Sequence, residues 1–572
     1  MSATVVLNQL SFTWPDGAVG LDGLSGSFSA GRTGLVGANG SGKSTLLKLI
    51  AGLLRPSAGT ITCSGSVGYL PQSLTWSSSD TVADLLGVAQ RLAALRAVEA
   101  GSLDPAWFDL IGPDWDLEAR TAAELDWLGL GPDDLTRPVS QLSGGQAMLV
   151  ATAGLRLRRD SISLLDEPTN NLDRPSRARL AEAVAHWPGH LIVVSHDLDL
   201  LELMDCTAEL ADGHLEFYGG PYSQFQAWRL TEQEAAQRVA RQTERRVKAE
   251  QRQRIEAETK LARRARQGRA GQLSGGLPRI LAHARASSAQ VSAGKSRAVM
   301  DDRLAQAQAA AEQAAARVRS EPPIRLDLPA VGLAAGRRLV EVDDGQRQWV
   351  VQGPERVALV GANGVGKTRL LERLWASRPG APEPAAVEPG PPDPTRRPTW
   401  PDQARQPTPP DPARPPTPPG PDWLAGGPEG RLLTDRVGYL RQRLDGLSED
   451  SGALDNLRQA APGLSPLEAR ALLARLRLRQ AAADRPVGDL SGGERFRVAL
   501  ARLLGARPPA WLLLLDEPTN NLDHSSVDSL VEALAGYDGA LLVVSHDDRF
   551  LGRLGLDRTW ELDADGHLTE LS

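Results

Sequence analysis

The octapeptide DEPTNNLD at Asp166–Asp173 recurs, residue for residue, at Asp516–Asp523. Each copy sits in a longer series of strings that keep one order: GANGSGKS from Gly37 and GANGVGKT from Gly361, VGYL from Val67 and Val437, LSGGQ from Leu142 and LSGGE from Leu490, VVSHD from Val193 and Val543. In both series the His of SHD, His196 or His546, stands 29 positions after the Glu of DEP, Glu167 or Glu517. A common order and register across two halves identifies an internal duplication, so the chain contains two modules of one kind.

The strings have a shared chemistry. In GxxxxGK[ST] the glycines let the backbone curl until successive N–H groups and the positive end of the following helix face phosphate oxygens. The candidate nucleotide contacts are therefore Gly37, Asn39, Gly40, Gly42, Lys43, Ser44 and Thr45 in the first half, and Gly361, Asn363, Gly364, Gly366, Lys367 and Thr368 in the second. Lys43 and Lys367 would meet the β/γ oxygens, and Ser44 and Thr368 would hold Mg²⁺. The apolar runs Ile162–Leu165, interrupted by Ser163, and Leu512–Leu515 read as buried parallel strands that carry Asp166 and Asp516 to the metal. Glu167 and Glu517 then stand where a carboxylate orients or deprotonates an attacking water. The ligand class implied is a nucleoside triphosphate with its divalent cation.

LSGG followed by DEPT and then SHD resembles the ABC ATPase superfamily, over about 220 residues at the N-terminus and from about Ile324 onward. The resemblance implies that Gln72 and Gln442 are Q-loop residues that join the Mg²⁺ ligands, and that Ser143, Gly145, Ser491 and Gly493 form signatures capping the γ-phosphate. It also makes His196 and His546 the switch histidines. In that family each ATP lies between one module's P-loop and the other's signature, which pairs Lys43 with Ser491 and Lys367 with Ser143. One chain then builds both ATP sites, and a monomer is expected. Trp14, in FTWPDG, is the candidate adenine-stacking aromatic of the first half; the second half has no aromatic in the comparable stretch around Pro329–Val342. Arg369 stands where the usual pattern has a second hydroxyl. Both sites are expected to hydrolyse ATP.

At 572 residues the chain accommodates two such α/β domains and additional elements. No apolar run approaches the ~18–20 residues that cross a bilayer, and Met1–Thr13 lacks the order of a secretory signal. A soluble cytoplasmic protein without membrane insertion is the expectation. Cys63 and Cys206 are far apart and form no CxxC pattern. The chain's net charge of −7 is an average over unlike parts. Arg229–Ser320 holds 20 Lys and Arg against 9 Asp and Glu, and Thr259–Met300 holds nine basic residues and no acid. A segment of one sign is attracted to a polyphosphate backbone through ion pairing and counterion release.

Composition divides the chain into a first ATPase domain at 1–222, a basic helical linker at 223–323 and a second ATPase domain at 324–572. Gln224–Gln267 lacks Pro and Gly and reads as one long helix, with a second over about Ser287–Arg319 and a break at Gly268–Ala286. The fold class expected is thus α/β, two tandem P-loop ABC ATPase domains joined by a long α-helical hairpin. The LSGG at Leu273 lacks a following DEPT and is assigned to the composition of that break. The first module has about 22 extra residues between Gln72 and Ser143, placed at about 87–120 as a small arm. The second has a Pro-rich insertion at about 378–430: Pro379–Pro428 holds 19 of the 41 prolines and reads as a disordered or polyproline loop.

Tandem ABC modules, DEPTN and a charged helical linker together resemble the ABC-F subfamily. The resemblance implies binding to the ribosome near the tRNA exit site, with the linker directed toward tRNA and rRNA, and either regulation of translation or protection from antibiotics. The alternative is the cytoplasmic ATP-binding subunit of a drug-export ABC transporter. Against it stands the linker, which a transporter does not need.

Overall fold

The computed structural model describes residues 4–316, 330–380 and 428–571, apart from positions 16, 30, 75–76, 78, 171, 212, 274–278, 443, 445, 477, 479–482, 491 and 521. The described chain divides into one unit holding both nucleotide modules, Met1–Gly219 with Pro323–Ser572, and a second unit, Gly220–Pro322.

The first module contains β1 (Val5–Thr13), β2 (Val19–Phe28), β3 (Arg32–Val36), β4 (Ala58–Cys63), β5 (Val67–Leu70), β6 (Ile162–Asp166), β7 (His190–Val194), β8 (Cys206–Ala211) and β9 (His214–Gly219). Three of them form an antiparallel sheet, β2-β1-β4, and the other six a sheet in the order β5-β6-β7-β3-β8-β9. Within the larger sheet β5 to β8 run parallel and β9 closes the edge antiparallel. The second module repeats this plan. Its strands are β10 (Arg338–Asp343), β11 (Gln348–Gln352), β12 (Arg356–Val360), β13 (Glu429–Leu432), β14 (Val437–Leu440), β15 (Leu512–Asp516), β16 (Ala540–Val544), β17 (Arg558–Leu562) and β18 (Leu568–Leu571). They assemble as β11-β10-β13 and β14-β15-β16-β12-β17-β18.

Every residue of β6, β7, β15 and β16 is buried, as strands covered on both faces require. On one face of the second module's large sheet, Leu370, Leu371 and Leu374 of the helix Lys367–Ala376 pack against Leu512, Leu514, Leu542 and Val544. Phe496 and Val498 of the helix Gly492–Leu504 cover Leu513, Leu515, Leu541 and Val543 on the other. Truncating Leu514, fully buried on the face covered by Leu370, Leu371 and Leu374, to Ala costs about 2–5 kcal/mol. The parallel arrangement brings the ends of β3, β6 and β7 together, so Gly37 follows β3, Glu167 follows β6 and His196 comes two residues after β7. Crevices at the carboxyl ends of parallel strands are where α/β sheets bind ligands.

In the first module the stretch between Gln72 and Ser143 contains the helices Ala89–Glu99 and Pro105–Ile111, followed by Leu117–Leu128. The inserted segment of the second module lies, over 381–427, outside the described residues.

The second unit consists of two helices, Tyr222–Leu273 and Arg279–Ala316, with an ion pair between Arg254 and Asp301 at 3.0 Å. Their 52 and 38 residues correspond to about 78 and 57 Å of helix. Within the stretch Gly268–Ala286, where a break is expected, the first helix runs to Leu273 and the second begins at Arg279, and 274–278 lie outside the described residues. Gly268 and Gly271 continue the first helix, because an isolated glycine costs only about 1 kcal/mol against a long run of strong helix formers. Part of the LSGG beginning at Leu273 lies outside the described residues.

Candidate functional site

The two P-loops are built alike. Gly37, Gly40 and Gly42 have φ of +154°, +81° and +98°, and Gly361, Gly364 and Gly366 have +144°, +84° and +105°. At Gly37 and Gly361 a Cβ would lie 2.4 Å from the carbonyl oxygen of Leu210 and Leu562, respectively, so the loop passes close under the neighbouring strand and admits no side chain there. Lys43 Nζ donates to the Gly37 and Ala38 carbonyls at 2.8 and 3.0 Å. Lys367 Nζ does the same to Gly361 and Ala362, both at 2.8 Å. Burial pushes both ammonium groups down from their ordinary pKa, while Glu167, Asp523 and Asp166 oppose this at Lys43, and Glu517, Asp173 and Asp516 at Lys367. Each lysine thus senses an aspartate from the opposite module. Thr45 and Arg369 each follow the P-loop hydroxyl in the first turn of the helix after the loop.

The hydroxyls and carboxylates expected to meet a metal are adjacent. Ser44 Oγ donates to Asp166 Oδ1 at 2.9 Å, and Thr368 Oγ1 donates to Asp516 Oδ1 at 3.2 Å. The Tyr69 hydroxyl donates to Asp166 Oδ2 at 3.1 Å, and Tyr439 hydrogen-bonds Asp516. Burial raises the pKa of both aspartates, that of Asp516 to about 6. Each site offers a hard oxygen pair, which suits Mg²⁺ shared with substrate phosphates and water rather than a protein cage. Among the described residues there is no cluster of three or more His, Cys, Asp and Glu able to hold a metal. Gln72 and Gln442 are exposed, just past the ends of β5 and β14.

Glu167 and Glu517 occupy left-handed backbone, φ +49° and +45°, and their N–H groups bond Val194 and Val544 carbonyls at 2.8 Å. The strain of a non-glycine residue there is held by the adjoining sheet and turns the carboxylate away from the strand. The backbone N–H of His196 donates to Glu167 Oε2 at 3.3 Å, and His196 Nε2 lies 3.2 Å from both Glu167 Oε1 and Asn39 Oδ1. In the second module the His546 N–H reaches Glu517 Oε2 at 3.4 Å and Nε2 lies 3.5 Å from Oε1. Burial pushes both glutamates up to about 7 and the two imidazoles down to about 3 and about 4.

Sequence reasoning missed what joins the halves. Asp523 Oδ2 accepts the Asn39 N–H at 3.0 Å, and Asp173 Oδ2 accepts that of Asn363 at 3.2 Å. Both aspartates also cap the helix that follows them, through Ser176 N and Ser526 N. Arg174 pairs with Asp548, Arg549 with Asp199 at 2.7 Å, and Arg177 Nη1 donates to the His546 carbonyl at 3.4 Å. The repeated DEPTNNLD string carried the signal for Asp173 and Asp523, but a partner 190 or 484 positions away is not legible in one sequence.

Ser143 is exposed and caps the helix Gly144–Arg158 in a reciprocal box with Gln146, and Gly145 and Gly493 are buried. Ser491 lies outside the described residues. Trp14 is 38% exposed at the turn between β1 and β2, packed edge-on to Phe12. Its Nε1 lies 3.1 Å from where a Gly20 Cβ would sit, and the Gly20 carbonyl lies 3.1 Å from the position a Gly42 Cβ would take. In the second module the equivalent hairpin places Trp349 in the core against Trp560, with Nε1 bonded to Asp344.

This doubled arrangement of P-loop, strand-end carboxylate, LSGG and SHD defines a tandem ATP-binding cassette ATPase. The profile of the family described as ABC transporter matches residues 21–170 and 420–520. The chain is 32% identical over 575 residues to the tylosin resistance ATP-binding protein TlrC of Streptomyces fradiae, with 94% of each chain covered. It is 29% identical over 586 residues to the energy-dependent translational throttle protein EttA of Mycobacterium tuberculosis, covering 95% of this chain and 89% of that one. Its fold is similar to that of a solved structure described as RNase-L Inhibitor, at 19% identity and a TM-score of 0.51, covering 99% and 90% of the two chains. The chain belongs to the ABC-F family of ATP-binding cassette proteins, and it is an ATP hydrolase. Among the described residues no helix is long and apolar enough to cross a membrane.

Proposed function

We propose that the chain is a cytoplasmic, ribosome-associated ATPase that acts as a monomer. Its basic helical pair would enter an RNA-lined cavity near the tRNA exit site and either regulate translation or protect the ribosome from an antibiotic. The observation that carries this reading is the linker. It has two helices of 52 and 38 residues, and the sequence over 259–300 holds nine Lys and Arg and no Asp or Glu. Phosphate contacts position such an element on RNA without reading base sequence. The printed names of TlrC and EttA, one a resistance protein and one a translational throttle, support the two variants of the role.

At each site the P-loop N–H groups and Lys43 or Lys367 would bind the β/γ-phosphates of ATP, with Trp14 stacking on adenine at the first site. Ser44 with Asp166, and Thr368 with Asp516, would hold Mg²⁺, joined by Gln72 and Gln442 from the loops after β5 and β14. When bound, the metal neutralises charge on the phosphate oxygens. Glu167 or Glu517, tuned near neutral pH, takes the proton of the attacking water as its oxygen bonds the γ-phosphorus and the bridging P–O bond breaks. His196 and His546 orient that carboxylate. Ser143 with Gly145, and Ser491 with Gly493, would cap the γ-phosphate from the opposite module. ATP binding closes the modules, and hydrolysis with phosphate release lets them part and changes the affinity for RNA.

The test combines Glu167→Gln and Glu517→Gln, which keeps ATP uncleaved. The double variant should sediment with ribosomes when ATP is present. Recovery of that variant with a membrane exporter subunit, and free of ribosomes, would favour the transport reading instead.

A further inference from the structure

We propose that His524 of the second module is a positioning residue for hydrolysis at the site built on Lys43, acting across the module boundary through His196. This rests on the reading of His196 as the histidine that orients Glu167. The position after the capping aspartate differs between the two halves of the duplication: it is Arg174 in the first and His524 in the second. Asp523 fixes His524 at the first position of the helix His524–Ala535, its Oδ1 accepting Ser526 N at 2.9 Å while its Oδ2 reaches Asn39. From there the His524 ring meets the His196 ring edge to face, with centroids 5.6 Å apart and planes at 82°.

The contact bears on chemistry because the His196 ring is already committed at Nε2, which lies 3.2 Å from Glu167 Oε1 and from the P-loop Asn39 Oδ1. A second ring packed edge to face against it restrains the direction of the imidazole toward the carboxylate. Burial holds both rings in the neutral form, so they pack as aromatic bodies and not as repelling cations. The other site is built differently. There Arg174 turns to Asp548, Arg177 holds the His546 carbonyl, and His546 Nε2 stands 3.5 Å from Glu517 Oε1. The two sites are thus supported by unlike groups, an aromatic ring at one and guanidinium groups at the other.

The experiment is a double-mutant cycle on the full chain, with kcat and KM for ATP as readouts. In a Glu517→Gln background, where turnover comes from the Lys43 site, His524→Ala or His524→Gln should lower kcat about three- to tenfold with KM changed less than about twofold, because the ring orients and does not bind. His524→Phe, which keeps an aromatic edge, should recover most of the rate. In a His196→Ala background the His524→Ala change should have no further effect, whereas in a His546→Ala background its effect should persist. With ring-labelled histidine, the His196 resonance should move on His524→Gln and that of His546 should not. An unchanged kcat with an unmoved His196 signal overturns the proposal, as does a loss of equal size with and without His196. Either result leaves the reading of His196 standing if His196→Ala by itself still lowers kcat at the Lys43 site.

Discussion

The Asp523 carboxylate accepts the backbone N–H of Asn39 at 3.0 Å, and its duplicate Asp173 accepts that of Asn363 at 3.2 Å. Each aspartate spends its second oxygen on the N-terminus of its own helix, so a P-loop in one module and a helix in the other share a single side chain. Replacing Asp173 and Asp523 with Ala should cost about 1 kcal/mol per cap. It should also lower kcat by about tenfold or more through misplacement of the loops. Thermal unfolding and phosphate release measured together separate the two effects; a rate that falls only as far as stability does would contradict the cross-module role.

Tyr69 and Tyr439 hold the strand-end aspartates through their hydroxyls. Tyr69→Phe with Tyr439→Phe keeps the rings and removes only those bonds. Groups that orient a metal ligand typically change metal affinity about 10- to 100-fold, so the Mg²⁺ concentration for half-maximal hydrolysis should rise by about tenfold. Chelation with EDTA should abolish hydrolysis in both proteins. An unaltered Mg²⁺ requirement would remove the tyrosines from the site.

The parts of this molecule that are local were legible in the sequence. Glycines that need positive φ, apolar runs ending in Asp166 and Asp516, and the long stretch free of Pro after Gln224 each state their structure within a few residues. What was not legible depends on contacts made at a distance. VGYL was visible as a repeat, but the role of its tyrosine requires β5 beside β6 and β14 beside β15. Trp349 carries no adenine-facing role because the fold buries it against Trp560, 211 positions away. The helix ends near Leu273 and Arg279 escaped because glycine composition marks a break less sharply than cooperative helix growth overrides it.

Asp344 gathers the Trp349 indole N–H and the backbone N–H groups of Leu568, Gln346 and Arg347. Burial pushes its pKa up, but these donors together outweigh it and hold the carboxyl at about 2. A carboxyl depressed in the folded state stabilises fully above its unfolded pKa of about 3.9 and loses that contribution as pH falls toward 2. Asp344→Ala should therefore destabilise the chain by about 1–3 kcal/mol at pH 7. The gap to wild type should shrink between about pH 4 and pH 2 in denaturant titrations. A gap that does not change with pH would contradict the assignment.

The ion pair Arg549–Asp199 spans the modules on exposed side chains. Such pairs contribute about 0–1 kcal/mol, so Arg549→Ala should change stability by no more than that and leave hydrolysis within about twofold. A larger loss would mean that this rim contact, and not the two capping aspartates, holds the modules together.

The central claim is that ATP-loaded modules deliver a cationic helical pair to the ribosome, and sedimentation tests it most directly. The Glu167→Gln, Glu517→Gln protein should pellet with ribosomes in ATP, and its retention should fall steeply as salt rises, since each phosphate contact contributes to the salt dependence. Protein that stays in the supernatant with ATP at low ionic strength would contradict the account.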